Sequence, residues 1–211
     1  MFYFTPYVIL PLLSAAVNGL LGLYVWQRRT APAARPLIWI MISLSGWSLA
    51  YAVNTAAASL AVKIFCYQLA TTFACIAAVA LLVLALTCAG LDGWITRRRL
   101  ILVSILPAIS VLGAWTSELH SLHRFGFHLY ESGPLLLLGL QEGPLFKMHA
   151  LSLLVINCVS IAILTSGIFR YPKSEWPRFA LLIIAVLIPM AMEFLFITPR
   201  SMTAEPFFTI R

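Results

Sequence analysis

Three clusters of basic residues punctuate this 211-residue chain: Arg28, Arg29 and Arg35, then Arg97, Arg98 and Arg99, then Arg170, Lys173 and Arg178. Each lies between two apolar runs long enough to cross a bilayer, and between successive clusters the chain crosses twice. Short loops rich in Lys and Arg stay on the cytoplasmic side of a membrane. With all three clusters cytoplasmic, the topology has no remaining freedom. The N-terminus is expected outside, as are the links around Thr55 and Phe125 and the tail from Pro199.

Composition points the same way. The chain is 62% hydrophobic and 10% charged, whereas a soluble domain carries about 25% charged residues. One core could not hide so much apolar surface from water. The formal net charge of +7 does not imply a nucleic-acid partner, because nine of the fourteen basic residues sit in the three juxtamembrane clusters. Their first role is orientation, with some attraction to anionic lipid. Cys66, Cys75, Cys88 and Cys158 all fall in apolar runs and form no CxxC pair, which argues against a metal, redox or disulfide role. No cofactor is implied.

The fold class expected is an all-α polytopic helical bundle, read as a single membrane domain over 1–211. Its six spans are expected at about 7–26, 37–54, 64–90, 100–116, 146–169 and 178–198. The first has no basic leader or small-residue cleavage site, so it is not a signal peptide. Pro36 opens the second, where a missing N–H costs little. The third is long enough to tilt or project. Pro107 is expected to kink the fourth, and Pro189 lies inside the sixth. The loop 117–145 is too long to be only a connector. Two short apolar runs around Glu131-Ser132-Gly133-Pro134 predict a β-hairpin at about 124–141, with a flap on the lipid headgroups as the alternative.

Several local patterns converge on a known family. The second span carries Trp39 and then Gly46-Trp47-Ser48-Leu49-Ala50-Tyr51-Ala52. The third ends Leu86-Thr87-Cys88-Ala89-Gly90, and the fourth ends Ala114-Trp115-Thr116-Ser117-Glu118-Leu119-His120. The loop closes with Glu142-Gly143-Pro144-Leu145-Phe146 ahead of His149. In order and spacing, over nearly the whole chain, this resembles the seven-helix membrane sensor region at the N-terminus of some bacterial histidine kinases and diguanylate cyclases. The resemblance implies a sensor in the bacterial inner membrane, dimerisation, and a seventh helix leading to a cytoplasmic output module. Asn is expected more often at Ser117. The seventh helix is expected beyond Arg211, with Thr203 to Phe208 as its lead-in. No phosphoacceptor or nucleotide-binding segment is present, so these residues are not themselves expected to be an enzyme.

Candidate ligand-binding residues follow from polarity in apolar surroundings. Glu193 is the one acidic residue well inside a span, where a charge costs at least about 2.5 kcal/mol. It is read either as part of a ligand pocket or pH-sensitive switch, or as an interfacial residue near Pro199; His149 is its nearest expected partner. His120 and His123 are spaced i, i+3 and, with Glu118 or His149, give a weak metal signal that solvated loop residues explain as well. The resemblance falls on His120 and His149, which favours a pocket-lining role for both. Trp39, Trp47, Tyr51 and Trp115 are candidates to line a cavity for an aromatic or apolar ligand, or they belong to the interfacial aromatic belt with Trp26, Trp94 and Trp176. Asn54, Gln68 and Asn157 suit interhelical hydrogen bonds, and Ala70, Ala74, Ala78, Ala85 and Ala89 suit close helix packing. No Gly-x-Ser-x-Gly turn appears, so catalysis is unsupported. The rival classes are a small transporter, a membrane enzyme subunit or a structural partner subunit. No repeated halves of the transporter kind are visible.

Overall fold

The computed structural model describes residues 5–187 and 190. Its longest helix, α3 (Leu60–Cys88), sits at the centre and touches three others: α2 (Ala34–Ala56), α4 (Arg97–Trp115) and α5 (Pro144–Arg170). At about 1.5 Å per residue, the 29 residues of α3 exceed the bilayer's hydrocarbon core of about 30 Å. The first helix, α1 (Ile9–Gln27), follows a 3-10 turn at Pro6–Val8 and packs on α2. These five helices are long and apolar enough to cross a membrane. Residues 176–187 begin a sixth helical stretch; the rest of the expected sixth span, with Pro189 and Glu193, lies outside the described residues.

The outward faces are apolar. Leu20 on α1, Leu102 and Leu112 on α4, and Leu151 on α5 are all exposed. Such a surface is stable in lipid and not in water. Inside, small residues let the helices approach. Ala85 and Ala114 are fully buried, and Ala78 and Ala89 nearly so. On α2, Gly46 seats the Phe73 ring of α3, and a Cβ there would overlap it. The α1–α2 contact is polar: Ser14 and Ser48 are joined at 3.0 Å, and the Ser45 hydroxyl donates to the Ala15 carbonyl at 2.8 Å. Interhelical hydrogen bonds of this kind replace the hydrophobic drive that lipid removes.

The three basic clusters lie at one end. A cluster of Leu84, Cys88, Leu164 and Phe179 is packed by Ala33 and Leu37, bringing together the end of α3, the end of α5, and the starts of α2 and the sixth stretch. Here Arg29 lies over Trp26, Arg99 over Trp94 and Lys173 over Trp176. The end of α3 is closed by Gly90 at φ +70°. Leu91 N–H returns to the Leu86 carbonyl and Gly90 N–H to that of Thr87, a Schellman closure that needs the left-handed residue. Helix α4 runs from Arg97 to Trp115 with Pro107 inside it, and one expectation about proline is corrected. Pro36 is the third residue of α2 and not its first, still within the turn whose N–H groups have no intrahelical acceptor.

At the opposite end the loop does fold into a hairpin. Strand β1 (Arg124–Ser132) pairs antiparallel with β2 (Leu135–Glu142), and Gly133-Pro134 forms the two-residue turn. Gly133 has φ +58°, which the first turn position of a primed hairpin turn requires. The register shifts between Phe125 and His128, so Gly126 and Phe127 together oppose one residue of β2. This bulge, with Gly126 at φ +65°, turns Phe127 toward α3, its ring 6.2 Å from that of Tyr67.

Candidate functional site: the hairpin–bundle junction

The junction is built from α3, α5 and the segment entering β1. From α3 comes Tyr67; from α5 come Phe146 and His149; from the segment come His123 and Arg124. Two backbone hydrogen bonds fix the entry. Gly143 N–H donates to the His123 carbonyl at 2.7 Å, and Leu145 N–H donates to that of Leu122 at 2.8 Å. Gly143 is required here, since a Cβ would overlap the carbonyls of Ser121 and Leu122. Pro144 then starts α5 without spending a needed N–H. That accounts physically for the Glu142-Gly143-Pro144 pattern in the sequence.

His123 is fully buried. Its Nδ1 lies 2.6 Å from the Tyr67 hydroxyl, and the phenol, the stronger donor of the two, is assigned as the donor. The ring proton is then assigned to Nε2, which is buried and has no hydrogen-bond partner among the described residues. The His123 ring is 5.7 Å from both Phe146 and His149. Burial, followed by the positive fields of His149, Arg124 and His120, pushes its pKa down to about 4. At neutral pH this imidazole is uncharged. His149, also buried, places Nδ1 3.8 Å from Cys75 Sγ of α3. Arg124 closes the outer side: its guanidinium stacks over Phe146 at 3.8 Å and Tyr67 at 4.9 Å, and reaches Glu142 across the hairpin at 3.8 Å.

Of the residues singled out in the sequence, only His149 lies in this cluster. His120 stays at its edge, where Nε2 meets Thr116 Oγ1 at 2.9 Å and Nδ1 accepts from Leu122 N–H at 3.1 Å. Residues 116–123 are turns and bends, so the shared helical face for His120 and His123 does not form. Among the described residues no group of three or more His, Cys, Asp or Glu is placed to hold a metal. Trp115 is partly exposed; its indole N–H donates to Thr72 Oγ1 at 3.0 Å, and Phe65 packs edge-on against it at 5.8 Å. Trp47 and Tyr51 are 45% and 61% exposed on α2, away from the junction, and Trp39 lies toward the basic end. Glu193 lies outside the described residues.

Three residues matter here more than their local sequence suggests: His123 enters only the weak metal signal, Tyr67 carries no signal of its own, and Lys63 falls just before the expected third span at 64–90. Lys63 is fully buried, its ammonium donating to the Asn54 carbonyl in the last turn of α2, while the Asn54 amide donates back to the Lys63 carbonyl at 3.1 Å. A cation on the last carbonyls of a helix complements its dipole. The available signal was a polar residue at helical spacing from others on α3: Lys63, Tyr67 and Thr71 are four apart.

Chemically the junction holds two buried imidazoles, a thiol, a phenol and a guanidinium stacked on two rings. Its one thiol–imidazole pair is Cys75 with His149, and among the described residues no carboxylate orients that imidazole. The junction is a buried polar seam between two bodies, the hairpin and the bundle.

A family model described as the N-terminal 7TM region of histidine kinase matches residues 10–210. No curated protein and no solved structure matches the chain.

Proposed function

The chain belongs to the family of N-terminal 7TM regions of histidine kinases, a membrane sensory domain, and we propose that it detects its stimulus in the outer half of the bundle and relays it to a cytoplasmic output module, a histidine kinase or diguanylate cyclase. The carrying observation is the His123–Tyr67 seam. One short hydrogen bond joins the segment entering the hairpin to α3, the His123 ring packs on Phe146 and His149 of α5, and a buried imidazole nitrogen is left unsatisfied. An unsatisfied buried donor costs about 1–3 kcal/mol, so the seated hairpin is poised against a released or ligand-completed one. A stimulus acts by binding one of those states more tightly. The partner it meets is a small molecule or a physical change in the outer leaflet.

The orientation supporting this proposal is that of the basic clusters, placed in the cytoplasm of a bacterial inner membrane with the N-terminus outside. In intact cells, single cysteines at Thr55 and Ser132 should react with a membrane-impermeant thiol reagent, whereas those at Ala33, Thr96 and Ser174 should be shielded. The reverse pattern overturns the orientation. The functional test is a receptor in which this region precedes a kinase core. Tyr67→Phe and His123→Asn should shift basal kinase output at matched expression, and Glu193→Gln should change its pH dependence if that carboxyl lines the same pathway. Of the other candidates, His120, His149 and Trp115 border the seam, and Trp47 and Tyr51 would act through a partner helix or a second copy in a homodimer. Wild-type output from both seam variants would refute the junction as the sensing element.

A further inference from the structure

Two furrows meet at the basic end of the bundle, and one arginine borders both. The first has a volume of about 500 Å³ and runs between α2 and α4 over α3, past Val79, Val83, Leu100, Pro107 and Val111. The second has about 710 Å³ and lies between the end of α1 and the start of α2, past Trp26, Arg29, Ile38 and Ile42. Arg35 and Trp39 line both, so the exposed indole of Trp39 stands as a partition with a guanidinium at its head. The first furrow is almost wholly apolar below Arg35, and the second is apolar at Ile38, Trp39 and Ile42 and polar at Arg29 and Thr30. From Leu100 to Val111 the first furrow follows α4 for about 16 Å at the helical rise, close to half of the bilayer's hydrocarbon core of about 30 Å.

Charge selects the head of the occupant. Among the described residues the ion pairs are Arg124–Glu142 and Arg178–Glu175, and neither Arg29 nor Arg35 has a carboxylate partner. Arg29 is held over Trp26 by its ring face, which orients the guanidinium and leaves its N–H groups unneutralised. Two arginines at the head of one apolar slot of about one-leaflet depth and a shorter one beside it match a phosphate carrying acyl chains.

We infer that this end of the bundle is a binding site for an anionic glycerophospholipid. The phosphate lies between Arg29 and Arg35, and one acyl chain fills each furrow, on either side of Trp39. The headgroup end of the site lies opposite the sensing junction, and the deep end of the first furrow reaches Cys75, which His149 of the junction meets from the other side. The site ties the α1–α2 corner to α4 across the face of α3 that lies between them.

The test is native mass spectrometry of the delipidated chain with phosphatidylglycerol, phosphatidylcholine of the same acyl composition, or the single-chain lysophosphatidylglycerol. Phosphatidylglycerol should bind preferentially, with the lyso form weaker because one furrow stays empty. Arg29→Gln with Arg35→Gln should lower that affinity about 25-fold, at about five-fold per arginine near the headgroups. Arg97→Gln, Arg98→Gln and Arg99→Gln together, at the same membrane face but outside both furrows except through Leu100, should leave the preference in place. Equal binding of the two diacyl lipids, no loss in the double variant, or equal loss in the triple variant would overturn the site. Displacement of the lipid by millimolar inorganic phosphate would overturn it as well, by showing a site for free phosphate.

Discussion

Lowering the pH should unseat the hairpin through His123. The ring is buried in the seated state, with a pKa pushed down to about 4. In a released hairpin it returns to about 6.5. At neutral pH both states carry an uncharged ring, and nothing is lost. As pH falls through about 6.5, the released state takes up a proton that the seated state refuses, so seating weakens. The loss reaches about 2 kcal/mol near pH 5 and levels off at about 3 kcal/mol below pH 4, where both states are protonated. Other groups act on the ring: Tyr67 from α3, His149 from α5, Arg124 from the hairpin and His120 from the preceding turn, with Cys75 behind His149 and Glu142 beside Arg124. His123→Asn separates them, because its amide oxygen replaces Nδ1 as acceptor for Tyr67 and does not titrate. The assay is spin-label distance measurement in lipid nanodiscs between Ser132→Cys at the hairpin tip and Ser59→Cys at the start of α3, with the native cysteines replaced. A second, longer distance should grow in from about pH 6.5 downward, and His123→Asn should remove most of it. A full wild-type response in His123→Asn, or a single unchanged distance down to about pH 4, would refute the assignment of this switch to His123.

Three further outcomes are expected. Tyr67→Phe strips His123 Nδ1 of its donor and should destabilise the seated hairpin by about 1–3 kcal/mol, read in the same distance distributions at neutral pH. Lys63→Met removes the buried ammonium from the Asn54 carbonyl and should lower thermal stability in detergent by about 1–3 kcal/mol, seen as a reduced Tm; an unchanged Tm would mean that relief of ammonium burial offsets the lost bond. Gly46→Val drives a side chain into the Phe73 ring and should cost about 1–3 kcal/mol by forcing α2 from α3, whereas Gly46→Val with Phe73→Ala should recover part of that loss.

The membrane class and the hairpin are legible in the sequence, because each rests on a local rule. Spans need apolar length, basic loops mark one face, and Gly133-Pro134 between apolar runs makes a tight turn. The family's local patterns were also legible, and two now have a steric cause: Gly46 under the Phe73 ring, and Gly143 against the carbonyls of Ser121 and Leu122. Tertiary structure alone decided which polar residues are functional candidates. In lipid a helix is apolar all round, so no hydrophobic stripe separates the face that meets other helices from the face that meets acyl chains. Trp47 and Tyr51 therefore read as pocket residues but face outward, and Lys63 read as loop charge but is buried. The choice between His120 and His123 turned on the bends at 116–123 and the two backbone bonds from Gly143 and Leu145, which carry one ring into the seam and leave the other at its rim. Those contacts join residues about twenty positions apart in the chain and depend on where the hairpin docks, and no local spacing encodes that.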